Sequence, residues 1–99
     1  MPIVDISVVP VGTKTTSVSK YVQEAISVIK KSGLKFQVSS MGTAIEGDLA
    51  KIFKTVQEIH EACFAQGAKR LLTTIKIDDR RDKKQTMEDK IKKALSVVR

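Results

Sequence analysis

The sequence predicts an α+β fold: one antiparallel sheet, two helices packed on one of its faces, and a third helix at the C-terminal end. Three observations lead there. Of four strand segments, the first, second and fourth alternate apolar and polar residues with the period of a strand, and the glycine-rich stretch at Met41 to Gly47 supplies a short third. Two amphipathic helices follow the first and third of them. The order strand, helix, strand, strand, helix, strand is that of the split βαβ unit, the ferredoxin-like βαββαβ arrangement. Right-handed crossovers then put both helices on the same side of the sheet.

The elements follow in chain order. From Ile3 to Val9, Val4, Ile6 and Val8 share one face, and Ile3, Asp5, Ser7 and Val9 the other. Pro10 ends this strand or sets it at a sheet margin. Val11 to Ser17 is a hydroxyl-rich loop, with Ser17 the predicted N-cap of the first helix. Val18, Val22, Ala25, Ile26 and Ile29 recur at helical spacing, and Gly33 stops them. Leu34, Phe36 and Val38 alternate with Lys35, Gln37 and Ser39 in the second strand. A short third strand is expected around Thr43 to Gly47. Asp48 caps the second helix, whose stripe runs through Leu49, Ile52, Phe53, Val56, Ile59, His60 and Cys63 to a stop at Gly67. Lys69 to Asp78 alternates again as the fourth strand. Thr86 with Asp89 has the spacing of a capping box, and Met87, Ile91, Ala94, Leu95 and Val98 mark the last helix.

Residues 1–99 are read as a single domain, since a chain this short holds one two-layer core and not two. Its 41% hydrophobic and 29% charged residues are those of a soluble globular protein. No apolar run is long enough to cross a bilayer, so no membrane partner is expected. The N-terminal residues have neither the basic region nor the apolar core of a secretory signal. The lone Cys63 cannot close an internal disulfide, which suits a cytoplasmic location.

The formal net charge of +7 raises the question of nucleic acid. Most of the excess lies from Lys69 onward, where signs alternate through Asp78-Asp79-Arg80-Arg81-Asp82-Lys83-Lys84, as on a solvated, ion-paired surface. An RNA-recognition module shares this strand order and stacks bases on aromatics of its central strands. The first and last strands here have none. RNA binding through the basic C-terminal third is retained only as a third option, and a nucleic-acid partner is disfavoured.

Parity turns the apolar sets toward the helices and leaves an open face carrying Asp5, Ser7, Gln37, Ser39, Thr74 and Lys76. Faces of this mixed kind usually meet a partner or a ligand. Thr43 and Glu46 flank a glycine-rich hairpin, Met41-Gly42-Thr43-Ala44-Ile45-Glu46-Gly47. They suit either an amine or aminopyrimidine ligand, or local side-chain to backbone bonds in a turn. Asp5 and Lys76 on neighbouring strands form either a cross-strand ion pair or, with Ser7, Ser39 and Thr74, a mixed donor and acceptor surface. Gly12 to Ser17 lacks the spacing of a phosphate loop. His60 has no second histidine one turn later and there is no cysteine cluster, so no metal site is expected. His60 reads as a satisfied core-edge residue and Cys63 as a buried small hydrophobe. No catalytic constellation assembles.

These motifs resemble the small YkoF-like thiamine-binding proteins. The resemblance is carried by Pro10-Val11-Gly12-Thr13, Ser17-Val18-Ser19-Lys20-Tyr21-Val22, the Met41 to Gly47 stretch, His60-Glu61, and Ile75-Lys76-Ile77-Asp78-Asp79-Arg80-Arg81-Asp82-Lys83. It covers nearly the whole chain, with the length of the single-domain members. It implies a ferredoxin-like fold, homodimers that pair into homotetramers, and non-enzymatic binding of thiamine or its hydroxymethyl-pyrimidine part. Thiamine enters as a ligand, and no cofactor is implied. By motif, Thr43 and Glu46 are the first ligand-side candidates, with Thr13 and Ser17 as neighbours; Asp5, Ser7, Ser39 and Lys76 join them from face parity alone. The alternative is a structural or regulatory homo-oligomer with another ligand or none.

Overall fold

Local chemistry sets the element boundaries. The computed structural model describes residues 1–12 and 19–96. The elements are β1 (Ile3–Pro10), α1 (Ser19–Ser32), β2 (Lys35–Val38), β3 (Thr43–Glu46), α2 (Leu49–Ala65), β4 (Leu71–Asp78) and α3 (Met87–Leu95). Asp48 caps α2 by accepting from the Lys51 N–H at 3.2 Å. Past the C-terminal end of α1, Gly33 takes φ +77°, a backbone shape that costs other residues more. The predicted cap Ser17, the apolar Val18 and Val98 at the far end lie outside the described residues.

The sheet order is β2-β3-β1-β4, antiparallel throughout. This is the ferredoxin-like topology that the element order predicts. Val4, Ile6 and Ile45 from the sheet meet Ile29 of α1 and Ile52, Ile59 and Cys63 of α2 in one core. Facing positions in the register share a side of the sheet, so Val4 opposite Ile45 and Ile45 opposite Phe36 form a continuous apolar row.

The sequence left the second sheet face open, and here the structure adds something. Part of that face is covered by α3. Met87, the first residue of α3, is 4% exposed, and its N–H donates to Glu46 Oε1 at 2.8 Å. Lys90 pairs with Asp78 at 2.5 Å, fastening the helix to the end of β4. Glu46 has the parity opposite to the core residue Ile45, and Asp78, facing Ile3, the parity opposite to the core residue Val4, so α3 lies across the face away from α1 and α2. Beyond Met87, Ile91 and Leu95 remain exposed on the same stripe.

The start of α3 is built from charge. The Asp89 N–H donates to Thr86 Oγ1 and the Thr86 N–H to Asp89 Oδ2, the reciprocal capping box. That backbone donor, with the Thr86 hydroxyl, holds the Asp89 carboxyl below its ordinary value of 3.8. The Lys35 ammonium does the same to Glu88, ordinarily at 4.5. A depressed carboxyl stabilises the fold above its unfolded value, and the contribution is lost as pH falls through the folded one. Acid is therefore expected to loosen α3 before the core. Amide NMR signals of α3 should shift and broaden as pH falls through the lowered range in which these carboxylates protonate, while those of α2 hold. Parallel behaviour of the two helices would contradict this.

Candidate functional site

The hairpin between β2 and β3 is shaped by one serine and one glycine. Ser39 donates to the Gly42 carbonyl from its N–H (2.8 Å) and its hydroxyl (3.1 Å), and the Met41 N–H reaches Ser39 Oγ at 3.4 Å. Gly42 lies against β1. A Cβ there would stand 2.9 Å from the Ile6 carbonyl oxygen and 3.1 Å from Asp5 Oδ1. Only glycine lets the turn approach so closely.

Thr43, the next residue, pairs with Ile6 on one side and Val38 on the other, so its side chain points toward the helices. It is 8% exposed, and its hydroxyl bonds to no described residue. Beside it is a cavity of about 260 Å³ between α1 and the end of the sheet. Val8, Val22, Ala25, Ile26 and Val38 form apolar walls, and Ser39, Ser40 and Met41 form the rim. No charged side chain is among the described lining residues. An uncharged flat ring with one or two polar edge atoms matches that surface.

Glu46 does not belong to this cavity. Three residues along a strand reverse the face, so Glu46 points to the side where α3 lies. Its Oε1 accepts from Met87, and its Oε2 stands 3.2 Å from Lys35 Nζ, which also holds Glu88 at 2.6 Å. Thr43 and Glu46, paired as ligand candidates in the sequence, therefore sit on opposite faces. The remaining candidates divide the same way. Ser39 stands at the cavity rim and Ser7 borders it. Asp5 and Lys76 are register partners on β1 and β4, lining a shallow depression on the α3 side with Ile3, Ile77, Asp78 and Lys90. No ion pair closes between them. Thr13 and Ser17 lie outside the described residues.

His60 and Cys63 take structural positions. His60 Nε2 meets Thr73 Oγ1 at 2.6 Å, and burial pushes the Cys63 thiol up, with the charge of Glu24 adding to it. Among the described residues, no group of three His, Cys, Asp or Glu side chains could hold a metal. No helix among them is long and apolar enough to cross a membrane. The α3 side of β1 and β3 carries Ile3, Asp5, Ser7, Val9, Ala44 and Glu46, with no aromatic on which a base could stack.

Sequence reasoning missed the cavity walls, because Val22 and Ile26 read as ordinary core positions of an amphipathic helix. A stripe that stays partly uncovered cannot be told from a buried one by period. The engagement of Glu46 by α3 was missed as well. Its one sequence signal was the capping box, which places a helix N-terminus, and hence unpaired N–H groups, at Met87.

Residues 4–95 match the family model described as "Thiamine-binding protein". The chain belongs to that family. Among members of similar sequence is the UPF0045 protein YqgV of Bacillus subtilis, 45% identical over 95 residues that span 92% of this chain and 91% of the relative. The solved structure of the hypothetical protein MJ1052 from Methanocaldococcus jannaschii superposes with a TM-score of 0.86 at 42% identity, covering 94% of each chain. A Thermotoga maritima protein, described provisionally as acting in thiamine biosynthesis or salvage, gives 0.81 at 29% identity, over 94% of this chain and 97% of its own. The thiamine-binding family thus shares this α+β fold, and its description speaks for a binding role.

Proposed function

We infer that this chain is a non-enzymatic, cytoplasmic homo-oligomer that binds thiamine, chiefly through its hydroxymethyl-pyrimidine part, in the cavity beside Thr43. The observation that carries the reading is the apolar cavity beside Thr43, a residue 8% exposed whose hydroxyl bonds to no described residue and is open to a ligand. A ligand edge atom that bonds this hydroxyl contributes about 0.5–1.5 kcal/mol, the net value of one hydrogen bond. Family membership supports the identity of the ligand.

Size and charge favour the pyrimidine. The volume of about 260 Å³ lies just below the range of roughly 300–1,000 Å³ typical of drug-sized ligands, so it suits one ring better than two. The cationic thiazolium gains nothing from described walls that bear no carboxylate, and is better placed at the mouth, in solvent. The aminopyrimidine stacks on Val8, Val22 and Ile26, with polar atoms directed to Thr43 and the Ser39–Ser40 rim. Scarce aromatics limit affinity to a modest value.

The expected result of calorimetric titration is binding of both thiamine and free hydroxymethyl-pyrimidine, with the pyrimidine keeping most of the affinity. No heat from either ligand at millimolar concentration contradicts the reading.

A further inference from the structure

The mouth of the Thr43 cavity is apolar and open. Val22 of α1 and Val38 of β2, both among its walls, are exposed. Met41, in the β2–β3 hairpin, lines the same opening and is 84% exposed, the highest value among the large apolar side chains of the described residues. Apolar area left uncovered around a cavity is where a ligand, or a side chain folding over it, gains most.

The backbone under Met41 is held. Ser39 donates twice to the Gly42 carbonyl, the Met41 N–H reaches Ser39 Oγ, and Gly42 lies too close to β1 to carry a Cβ. What is free to move is the side chain, unbranched, with three rotatable bonds and a polarizable sulfur.

Sulfur suits the occupant. The described lining holds no aromatic ring and one sulfur, that of Met41. A thioether packs favourably on an aromatic ring, with the sulfur about 5 Å away. A pyrimidine lying on Val22 and Ile26 turns its other face to the mouth. Of the rim residues Ser39, Ser40 and Met41, only Met41 is long enough to cover that face.

The same exposure opens Met41 to oxidation. The chain has three methionines and one cysteine. Met87 is buried beneath α3. Cys63 is buried as well, and burial pushes its thiol up, away from the reactive thiolate. Met1 is exposed but does not line the cavity. Met41 is thus the sulfur, among the described residues, that both meets solvent and stands at the site.

We propose that Met41 is a redox-sensitive cover on the cavity: its thioether closes over the bound pyrimidine ring, and oxidation to the sulfoxide by a peroxide opens the site and weakens binding. The proposal rests on the ligand reading above and adds its regulation. The sulfur lone pair attacks one oxygen of hydrogen peroxide, and the O–O bond breaks. The sulfur is oxidised by two electrons to the sulfoxide. The peroxide is reduced, and its second oxygen leaves as water, taking the proton from the transferred hydroxyl. The product is a polar side chain that stays in water in preference to an apolar wall.

Peroxide treatment of the full chain tests this. Oxidised methionines are located by peptide mass spectrometry, and hydroxymethyl-pyrimidine is titrated calorimetrically into treated and untreated samples. Met41 is expected to gain an oxygen before Met87, and the oxidised wild type to bind roughly two- to tenfold more weakly, with its circular dichroism unchanged. Methionine sulfoxide reductases should restore the affinity. Met41→Leu keeps an apolar cover without the sulfur, so its affinity should not respond to the treatment. Met41→Gln, polar and of similar length, should bind as weakly as the oxidised wild type with no peroxide added. Oxidation of Met87 ahead of Met41, equal affinity before and after Met41 is oxidised, or a Met41→Leu variant that loses affinity as the wild type does, overturns the proposal and leaves the ligand reading standing. No binding by the untreated wild type removes the ligand reading, and the cover with it.

Discussion

Ile45→Ala is expected to lower the melting temperature by roughly 8–40 °C, taking a large-to-small core cost of about 2–5 kcal/mol and about 4–8 °C per kcal/mol for a domain of this size. Ile45 has 0% exposure and sits in the second of four strands, flanked by Val4 on β1 and Phe36 on β2. Both neighbours are held by ladder hydrogen bonds, and the layer above is closed by Ile52 and Ile59 of α2. The cavity left by truncation cannot collapse from any side, which places the cost toward the upper end. Leu95→Ala is the control. Leu95 is 62% exposed, and its loss should stay within about 0.5 kcal/mol. Thermal unfolding followed by circular dichroism checks both, and equal losses would contradict the core described here.

Glu46→Ala is expected to release α3 while leaving the four-stranded core and the ligand affinity intact. The carboxylate holds the Met87 N–H, at the one residue of α3 that is buried. Hydrogen bonds to a charged group contribute about 1.5–3 kcal/mol, and the N–H left behind is without an acceptor. Lys35 loses one of its two carboxylate partners in the same step. The rest of the docking rests on the buried Met87 side chain and on exposed ion pairs, which are weak in water. Hydrogen exchange should therefore accelerate across Met87–Leu95 and hardly change in α2. Glu46→Gln, which keeps an acceptor oxygen, should fall between. Unchanged protection of α3 in the alanine variant would show that Glu46 is not its anchor, and a loss of ligand affinity would return Glu46 to the site.

The division between what sequence reveals and what it hides follows from parity and length. Val4, Ile6 and, on α2, Ile52, Val56, Ile59 and Cys63 were legible because burial on one face imposes a period of 2 or 3.6 along a whole element, whereas Phe53 of the same stripe is 46% exposed. Asp48 and the Thr86–Asp89 pair were legible because caps are local chemistry. The membership of one site was not. Thr43 and Glu46 look like a pair in a short motif, yet an odd spacing on a strand separates them by the thickness of the sheet. Ser39 was assigned to the open face by alternation, but the strand stops at Val38, and the turn carries Ser39 to the cavity rim. The docking of α3 depends on contacts across 41 residues of sequence, from Glu46 to Met87, which no periodicity encodes.

The central claim is that the Thr43 cavity holds the pyrimidine, and its most direct test is a calorimetric comparison of wild type with Thr43→Val. Valine keeps the shape and removes only the hydroxyl. The account predicts that hydroxymethyl-pyrimidine binds the wild type and binds the valine variant roughly two- to tenfold more weakly, the loss of one hydrogen bond of about 0.5–1.5 kcal/mol. The melting temperature of the free variant should be nearly unchanged, since the hydroxyl bonds to no described residue. Equal affinity of the two proteins, or no binding by the wild type, would contradict it.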